Sequence, residues 1–334
     1  MSHKGHFNAF ISAVGHYFPE KVITNKYYTD YLETTDEWIK TRTGISERRF
    51  AEPDQPTSFM AAKAAEKVIN QRGISADDIE LIIVCTVTPD MFYPSTACRV
   101  QNIIGAKNCW GFDLSAACSG FIFGLMTGAQ FIENGVHKKV LVIGADKMSS
   151  IVNMQDRNTC VLFGDGAAAV LLEPTEDRST GVLDYIMRID GSGEKFLYQP
   201  GGGSLHPATY ETVEKGMHFV HQAGQSVFKE AVKGMADVSL EIMERNNISA
   251  QQVAYLVPHQ ANLRILSATA DRIGVKMDKV MVNIHKYGNT TSGTIPSCIS
   301  EYAQEGKIKK GDYLVLSSFG AGFTWGSLLV RWAL

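Results

Sequence analysis

The stretch DLSAACSGF, Asp113 to Phe121, sets a cysteine among the smallest side chains available. It follows NCWGFDL, which reads as a strand, and it leads into CSGFIFGLMTGAQFIENG, which reads as a helix ended by Gly135. Phe121, Ile122, Leu125, Met126, Ala129 and Ile132 fall at helical spacing, and Gly120, Gly124 and Gly128 recur along one face. Glycines inside a helix cost roughly 1 kcal/mol each relative to alanine. Close approach of another backbone to that face is the simplest offset. The helix is therefore expected to be central and buried, against a counterpart elsewhere in the chain.

Outward from this helix, strand-like and helix-like runs alternate. HFNAFISAVGHYFP reads as a strand and turn, and SFMAAKAAEKVINQRG as a helix closed by Gly73. SADDIELIIVCTVTPD holds a helix start and then a buried strand, and STACRVQNIIG is a helix. KKVLVIGAD is a continuous apolar strand of the kind found inside parallel sheets, and TCVLFGDGAAAVLLEP reads as a hairpin. The second half repeats the scheme. A long helix is predicted from Phe219 to Arg245, then strand VAYLVPHQ, helix ANLRILSATADRIG, strand KVMVNIH, helix TIPSCISEYAQEG and hairpin YLVLSSFGAGFTWGSLLVRW. Phe163-Gly164-Asp165-Gly166 and Phe319-Gly320-Ala321-Gly322 sit in matching places near the end of each half. The expectation is α/β, two similar halves with a site between them. The join is placed in the polar EPTEDRSTG, giving units 1–178 and 179–334. Gly191 to Gly216 has little periodicity and reads as a long loop, a kind often functional.

Composition narrows the function. A net charge of −3 gives no global reason to expect nucleic acid, so an acidic partner must meet a local basic patch. No run of about 18 apolar residues predicts a membrane span. MSHKGHFNAF lacks an apolar signal core, which points to the cytoplasm. The six cysteines form no C-x-x-C pair and read as reduced thiols, five of them simply buried.

Cys118 stands apart. At a helix N-terminus after a strand, the dipole and free N–H groups favour a thiolate, and small neighbours leave the sulfur approachable. A small hydrophobe filling a tight turn fits the local pattern equally well. A nucleophile needs partners elsewhere in the chain. His259 ends the apolar run VAYLVP and precedes a helix, at a strand's carboxyl end, where ligands of α/β sheets collect; helix capping is the alternative. Asn289, in the loop KYGNTTSGTIP, reads on its own first as a turn residue and second as an amide donor. His218 and His221 lack a third ligand at a useful spacing, so no metal site is expected; His3 and His6 lie in the N-terminal tail.

Taken in order, TTDEWIKTRTGISERRF, DLSAACSGF, FGDGAAAVLLEP, VPHQANLRIL, GNTTSGTIPS and FGAGFTWGSLLVRW resemble the β-ketoacyl-acyl carrier protein synthase III family of the thiolase superfamily, over essentially the whole chain. The resemblance implies a duplicated thiolase-like fold, layered αβαβα, and a homodimer. It implies the initiating condensation of type II fatty acid synthesis. A short acyl group passes from coenzyme A to Cys118. Malonyl-acyl carrier protein then loses carbon dioxide and attacks the thioester. Cys118, His259 and Asn289 would be catalytic, with backbone N–H groups of Cys118 and Ala321 holding the oxyanion; the family usually has glycine where Ala321 stands. His259 and Asn289 would donate to the malonyl thioester carbonyl, a role for neutral donors and not for a strong base.

The resemblance also implies the substrate contacts. Trp38 and Arg42 would clamp the adenine of coenzyme A, with Thr34 and Arg157 nearby. Phe163, Gly224, Phe228 and Asn262 would line the pantetheine tunnel. Lys229, Arg264 and Arg272 match carrier-protein contacts, while Asp271 replaces a usual lysine, which should weaken or shift docking. Tyr93 stands where the family inserts a residue from the partner subunit into the primer pocket, and its bulk favours acetyl over branched primers. No cofactor beyond the coenzyme A thioester substrate is implied. Two rivals stay open: a related condensing enzyme of secondary metabolism with another primer or acceptor, and a non-catalytic coenzyme A or carrier-protein binder, for which the full Cys-His-Asn set would be unnecessary.

Overall fold

A computed structural model describes residues 7–334; His3 and His6 lie outside the described residues. Two sheets organise it. The first places strands in the order Asn8–Tyr17, Asp165–Thr175, Val140–Lys147, Leu81–Cys85, Trp110–Leu114. The second runs Gly181–Ile189, Thr324–Arg331, Tyr313–Gly320, Val253–Pro258. Counted along the chain, the first sheet begins first strand, fifth, fourth, second, the second sheet runs first, fourth, third, second, and the pairing senses agree throughout. In each, the first strand is antiparallel to the last, the last is antiparallel to the one before it, and that one is parallel to the second. The repeat suspected from sequence is thus a repeat of topology.

Five layers result. Between the sheets lie the helices Gly120–Glu133 and Thr294–Gln304, whose Phe121, Leu125, Ile295 and Ile299 share one core with Ile83 and Val142 of one sheet and Leu316 and Leu328 of the other. Full burial of side chains of this size stabilises by about 1.5–3 kcal/mol each. Thr57–Arg72 and Thr96–Ile104 cover the outer face of the first sheet, and Gly224–Arg245 and Leu263–Ile273 that of the second. The glycines of Gly120–Glu133 do face a tight contact, but not a second helix. A Cβ on Gly124 would lie 2.4 Å from Cys85 Sγ, and one on Gly128 3.1 Å from side chains of Val140, Val142 and Leu172. The helix sinks onto the side chains of its own sheet.

Three further expectations need correction. TCVLFGDGAAAVLLEP is no hairpin: only Asp165–Thr175 is a strand, and it pairs on both sides. The Val161 carbonyl is taken by the buried Arg48 guanidinium at 2.6 Å, and Asp165 accepts from Ala51 N at 2.8 Å and Ser149 N at 2.8 Å, so the preceding residues fold into a turn. KVMVNIH forms a single bridge, Val280 to Leu256. There the buried Gln260 side chain replaces a ladder, donating to Met281 O at 3.1 Å and accepting from Asn283 N at 3.1 Å. The long helix begins at Gly224 rather than Phe219, because His221–Gln222 pairs with Leu197–Tyr198. No helix among the described residues is long and apolar enough to cross a membrane.

Candidate active site

Cys118 occupies the turn Ala117–Ser119 that precedes the central helix. Ala117 has φ +46°, a left-handed conformation that costs of order 1–3 kcal/mol outside glycine. The opposite half holds it there. Ser318 Oγ donates to Cys118 O at 2.8 Å, Ser119 Oγ to Thr324 O at 2.9 Å, and Thr324 Oγ1 to Ala116 O at 3.0 Å. A Cβ on Gly320 would lie 2.7 Å from Cys118 N. The small residues around Cys118 therefore let a turn of one half lie directly on a hairpin of the other.

The resting thiol differs from the sequence expectation. Burial, and next the charge of Asp146, push it up to about 12, against the pull of its own backbone N–H. Desolvation outweighs the helix terminus, so the thiol is protonated at ordinary pH.

His259 follows the strand Val253–Pro258 and is fixed through its backbone N–H to Ser317 O at 2.8 Å. Its ring is buried, with Nδ1 2.7 Å from Thr294 Oγ1. Burial lowers its pKa to about 3, so the imidazole is neutral at ordinary pH. Asn289 is buried and held on both sides of its backbone, N–H to Leu162 O at 2.8 Å and carbonyl from Gly164 N at 3.0 Å. Its Oδ1 accepts from Thr291 N at 2.8 Å, which leaves the amide N–H groups for the cavity.

One cavity of about 1030 Å³ is lined by Cys118, His259, Asn289 and Ala321. Trp38, Arg42, Phe163, Gly224, Phe228 and Asn262 line it too, as does Arg264. The Trp38 ring carries two guanidiniums, Arg157 at 5.4 Å and Arg42 at 5.8 Å from its centroid. Asn262 is committed locally: its Oδ1 caps the Leu263–Ile273 helix at Arg264 N, 2.9 Å, and its Nδ2 donates to Arg42 O at 2.9 Å. Arg264 lies over Phe228 at 5.2 Å. Thr34 falls outside this cavity. It lines a neighbouring hollow with Lys26 and Lys40, and its buried hydroxyl has no hydrogen-bond partner. Tyr93 is 87% exposed and does not line its own chain's cavity. Lys229 is exposed, and Arg272 pairs with Asp237 at 2.8 Å.

Two contributions escape a reading of motifs. Leu197 and Tyr198 bring the aperiodic loop into the cavity wall, and Val220 and Gln222, read from sequence as the start of the long helix, line it too. Asp146 is fully buried at the end of Val140–Lys147 and accepts from Val87 N at 2.8 Å, Thr86 Oγ1 at 3.0 Å and Ser292 Oγ at 2.8 Å, with Thr291 Oγ1 also donating. It ties the Asn289 loop to the first half. An Asp after an apolar strand was its only signal.

Sequence profiles named 3-oxoacyl-[acyl-carrier-protein] synthase III and 3-oxoacyl-[acyl-carrier-protein] synthase III C terminal match residues 112–191 and 243–332. The β-ketoacyl-[acyl-carrier-protein] synthase III of Chlorobaculum tepidum is 57% identical, over 97% of this chain and 99% of its own. The chain belongs to this synthase III family. The 3-oxoacyl-[acyl-carrier-protein] synthase III of Aquifex aeolicus, 41% identical, superposes with a TM-score of 0.89 over 97% of this chain and 100% of its own. The priming β-ketosynthase of the R1128 polyketide pathway superposes as well, TM-score 0.90 over 100% and 98% of the two chains, at 30% identity. The fold is duplicated thiolase-like, and the family member is an acyltransferase, a condensing enzyme of the initiation of fatty acid synthesis that works on coenzyme A thioesters.

Proposed function

We propose that Cys118 takes a short acyl group, acetyl first, from coenzyme A, and that His259 and Asn289 direct the decarboxylative condensation with malonyl-acyl carrier protein. The observation that carries this is convergence. A thiol from one half and two neutral N–H-bearing side chains from the other line one cavity, whose wall also holds Trp38 flanked by two guanidiniums. The Cys118 sulfur attacks the acyl carbonyl, its proton passes to the departing coenzyme A sulfur, and coenzyme A leaves as the free thiol. The N–H groups of Cys118 and Ala321 hold the oxyanion; such a donor is typically worth about 3–4 kcal/mol. Malonyl thioester then loses carbon dioxide, its enolate oxygen accepts from His259 and Asn289, and its carbon attacks the acyl-cysteine and expels the Cys118 thiolate. No carbon-bound proton is removed, which suits a neutral His259.

The same reading assigns Trp38, Arg42 and Arg157 to the nucleotide and Phe163, Gly224, Phe228 and Asn262 to the pantetheine arm. Thr34 would stand behind the Trp38 region, apart from the cavity that holds the arm. Exposed Lys229 and Arg264, with Arg272, would receive the acidic carrier protein. The enzyme would act in the cytoplasm as a homodimer, with the exposed Tyr93 closing the primer pocket of the opposite subunit. The chain would divide into units 1–178 and 179–334. The test is the intact mass of the protein after acetyl-coenzyme A, followed by a comparison of malonyl-carrier protein with malonyl-coenzyme A. An acetyl adduct lost on Cys118→Ala, and preference for the carrier protein, are expected. An unmodified mass would leave only a binding role, and indifference to the carrier protein would favour the secondary-metabolism alternative.

A further inference from the structure

We propose that Thr294 is a positioning residue for His259: its hydroxyl donates to Nδ1 and so fixes the neutral imidazole with its proton on Nε2, facing the cavity. The inference rests on the reading of His259 as a hydrogen-bond donor to the malonyl thioester. Thr294 Oγ1 has one proton and two neighbours, His259 Nδ1 at 2.7 Å and Thr291 O at 3.0 Å. The choice between them decides the chemistry. If the proton goes to Thr291 O, then Nδ1 must donate to Thr294 Oγ1, and Nε2 is a bare acceptor. If the proton goes to Nδ1, Nε2 is N–H and can hold an enolate oxygen.

Three observations select the second arrangement. The contact to Nδ1 is the shorter of the two. Thr291 O already accepts the backbone N–H of Thr294, so turning the hydroxyl away leaves no buried carbonyl unpaired. The same turn treats Asn289 in the same way: Thr291 N–H occupies its Oδ1 at 2.8 Å and leaves its N–H groups for the cavity. One turn thus spends a donor on the inner acceptor of each side chain and makes both outer atoms donors. The hydroxyl is not a demand of the fold, because the first residue of the matching central helix is Gly120.

The experiment is the ¹⁵N spectrum of the histidine-labelled protein, assigned with His259→Gln, together with kinetics of Thr294→Val and Thr294→Ser. In the wild type, Nε2 should carry the pyrrole-type shift and Nδ1 the pyridine-type shift. Thr294→Val should lose that fixed assignment and slow carbon dioxide release from malonyl-carrier protein by about tenfold or more, by analogy with the loss of a metal-bound histidine's outer hydrogen-bond partner. The loss should fall on kcat with KM nearly constant, acyl transfer to Cys118 should fall less, and Thr294→Ser should restore most of the rate. A wild-type spectrum with the proton on Nδ1 overturns the proposal without any variant, as does a Thr294→Val enzyme with unchanged tautomer and decarboxylation. Absence of any acetyl adduct in the wild type would instead strike the proposed function itself.

Discussion

The two halves meet through a pair of matching turns that do different work. Ala117–Ser119 and Thr291–Gly293 are both three-residue turns opening directly into a central helix, and both begin at a left-handed non-glycine residue, φ +46° at Ala117 and +49° at Thr291. Each lies on a glycine of the last strand but one of the other half's sheet. A Cβ on Gly320 would sit 2.7 Å from Cys118 N, and one on Gly144 2.3 Å from Ser292 O. Where the first turn has Cys118, the second has Ser292. The cysteine faces the cavity. The serine is clamped, with Oγ 2.7 Å from Cys85 O and 2.8 Å from Asp146. Duplication supplied two strained turns. One seats Cys118, the proposed nucleophile, and the other, tied down by Asp146, adjoins Asn289 and Thr294.

The comparison breaks most cleanly if the halves' duties can be separated. Cys118→Ala should abolish the acetyl adduct and condensation while malonyl-carrier protein still releases carbon dioxide, because His259 and Asn289 stay in place. Asn289→Ala should keep the adduct and lose decarboxylation by about a hundredfold or more, the usual scale for one oxyanion donor. Protein mass and carbon dioxide release, followed separately, check both. Loss of the adduct with retained decarboxylation in Asn289→Ala would return that residue to a turn role.

A gentler perturbation sharpens the same division. Gly320→Ala would press a methyl group against the Cys118 turn, and Gly144→Ala against the Ser292 turn. Overpacking of this kind costs about 1–3 kcal/mol and displaces backbone. Gly320→Ala should slow acylation by about tenfold with a smaller effect on decarboxylation; Gly144→Ala should do the reverse. Thermal melts would report a similar stability loss in each, so equal damage to both half-reactions would deny that the turns act separately.

Much of this site is legible in the sequence. The order of strands and helices, the central helix after Cys118, and the placing of His259 at a strand's end follow from apolar runs and punctuating glycines, which are local. What was not legible depends on partners distant in sequence. KVMVNIH has the composition of a strand, yet Gln260 takes its backbone groups. TCVLFG is apolar enough to pair, yet Arg48 takes Val161 O. The helix terminus beside Cys118 suggested a thiolate, and only the depth of burial shows that desolvation wins. Asn289 Oδ1 accepts from Thr291 N, two residues on, as a turn asparagine's does, and only its place in the cavity wall distinguishes it. Side chains that substitute for backbone partners leave no periodicity to read.

The smallest expected effect is thermodynamic and concerns the buried imidazole. His259 has a pKa of about 3 in the fold, lowered by burial from an ordinary value of 6.5. Between those values the unfolded chain binds a proton that the native site refuses. The stabilising contribution is therefore complete above pH 6.5 and is lost as pH falls toward 3, with a slope of at most about 1.4 kcal/mol per pH unit. His16 adds to the same trend, its pKa lowered by burial first and by Lys67 next. Its ring is held by Ser300 in the first half's contact with the Thr294–Gln304 helix, 2.9 Å from Nδ1 to Oγ. Denaturant unfolding at a series of pH values should thus show stability falling on the acid side of 6.5. His259→Gln should remove much of that slope and His16→Gln a lesser part, since His16 is less completely enclosed. A slope unchanged in His259→Gln would mean that the imidazole is solvated in the resting enzyme and open to protonation, and the contrast between a sealed His259 and a cavity open to substrate would have to be redrawn.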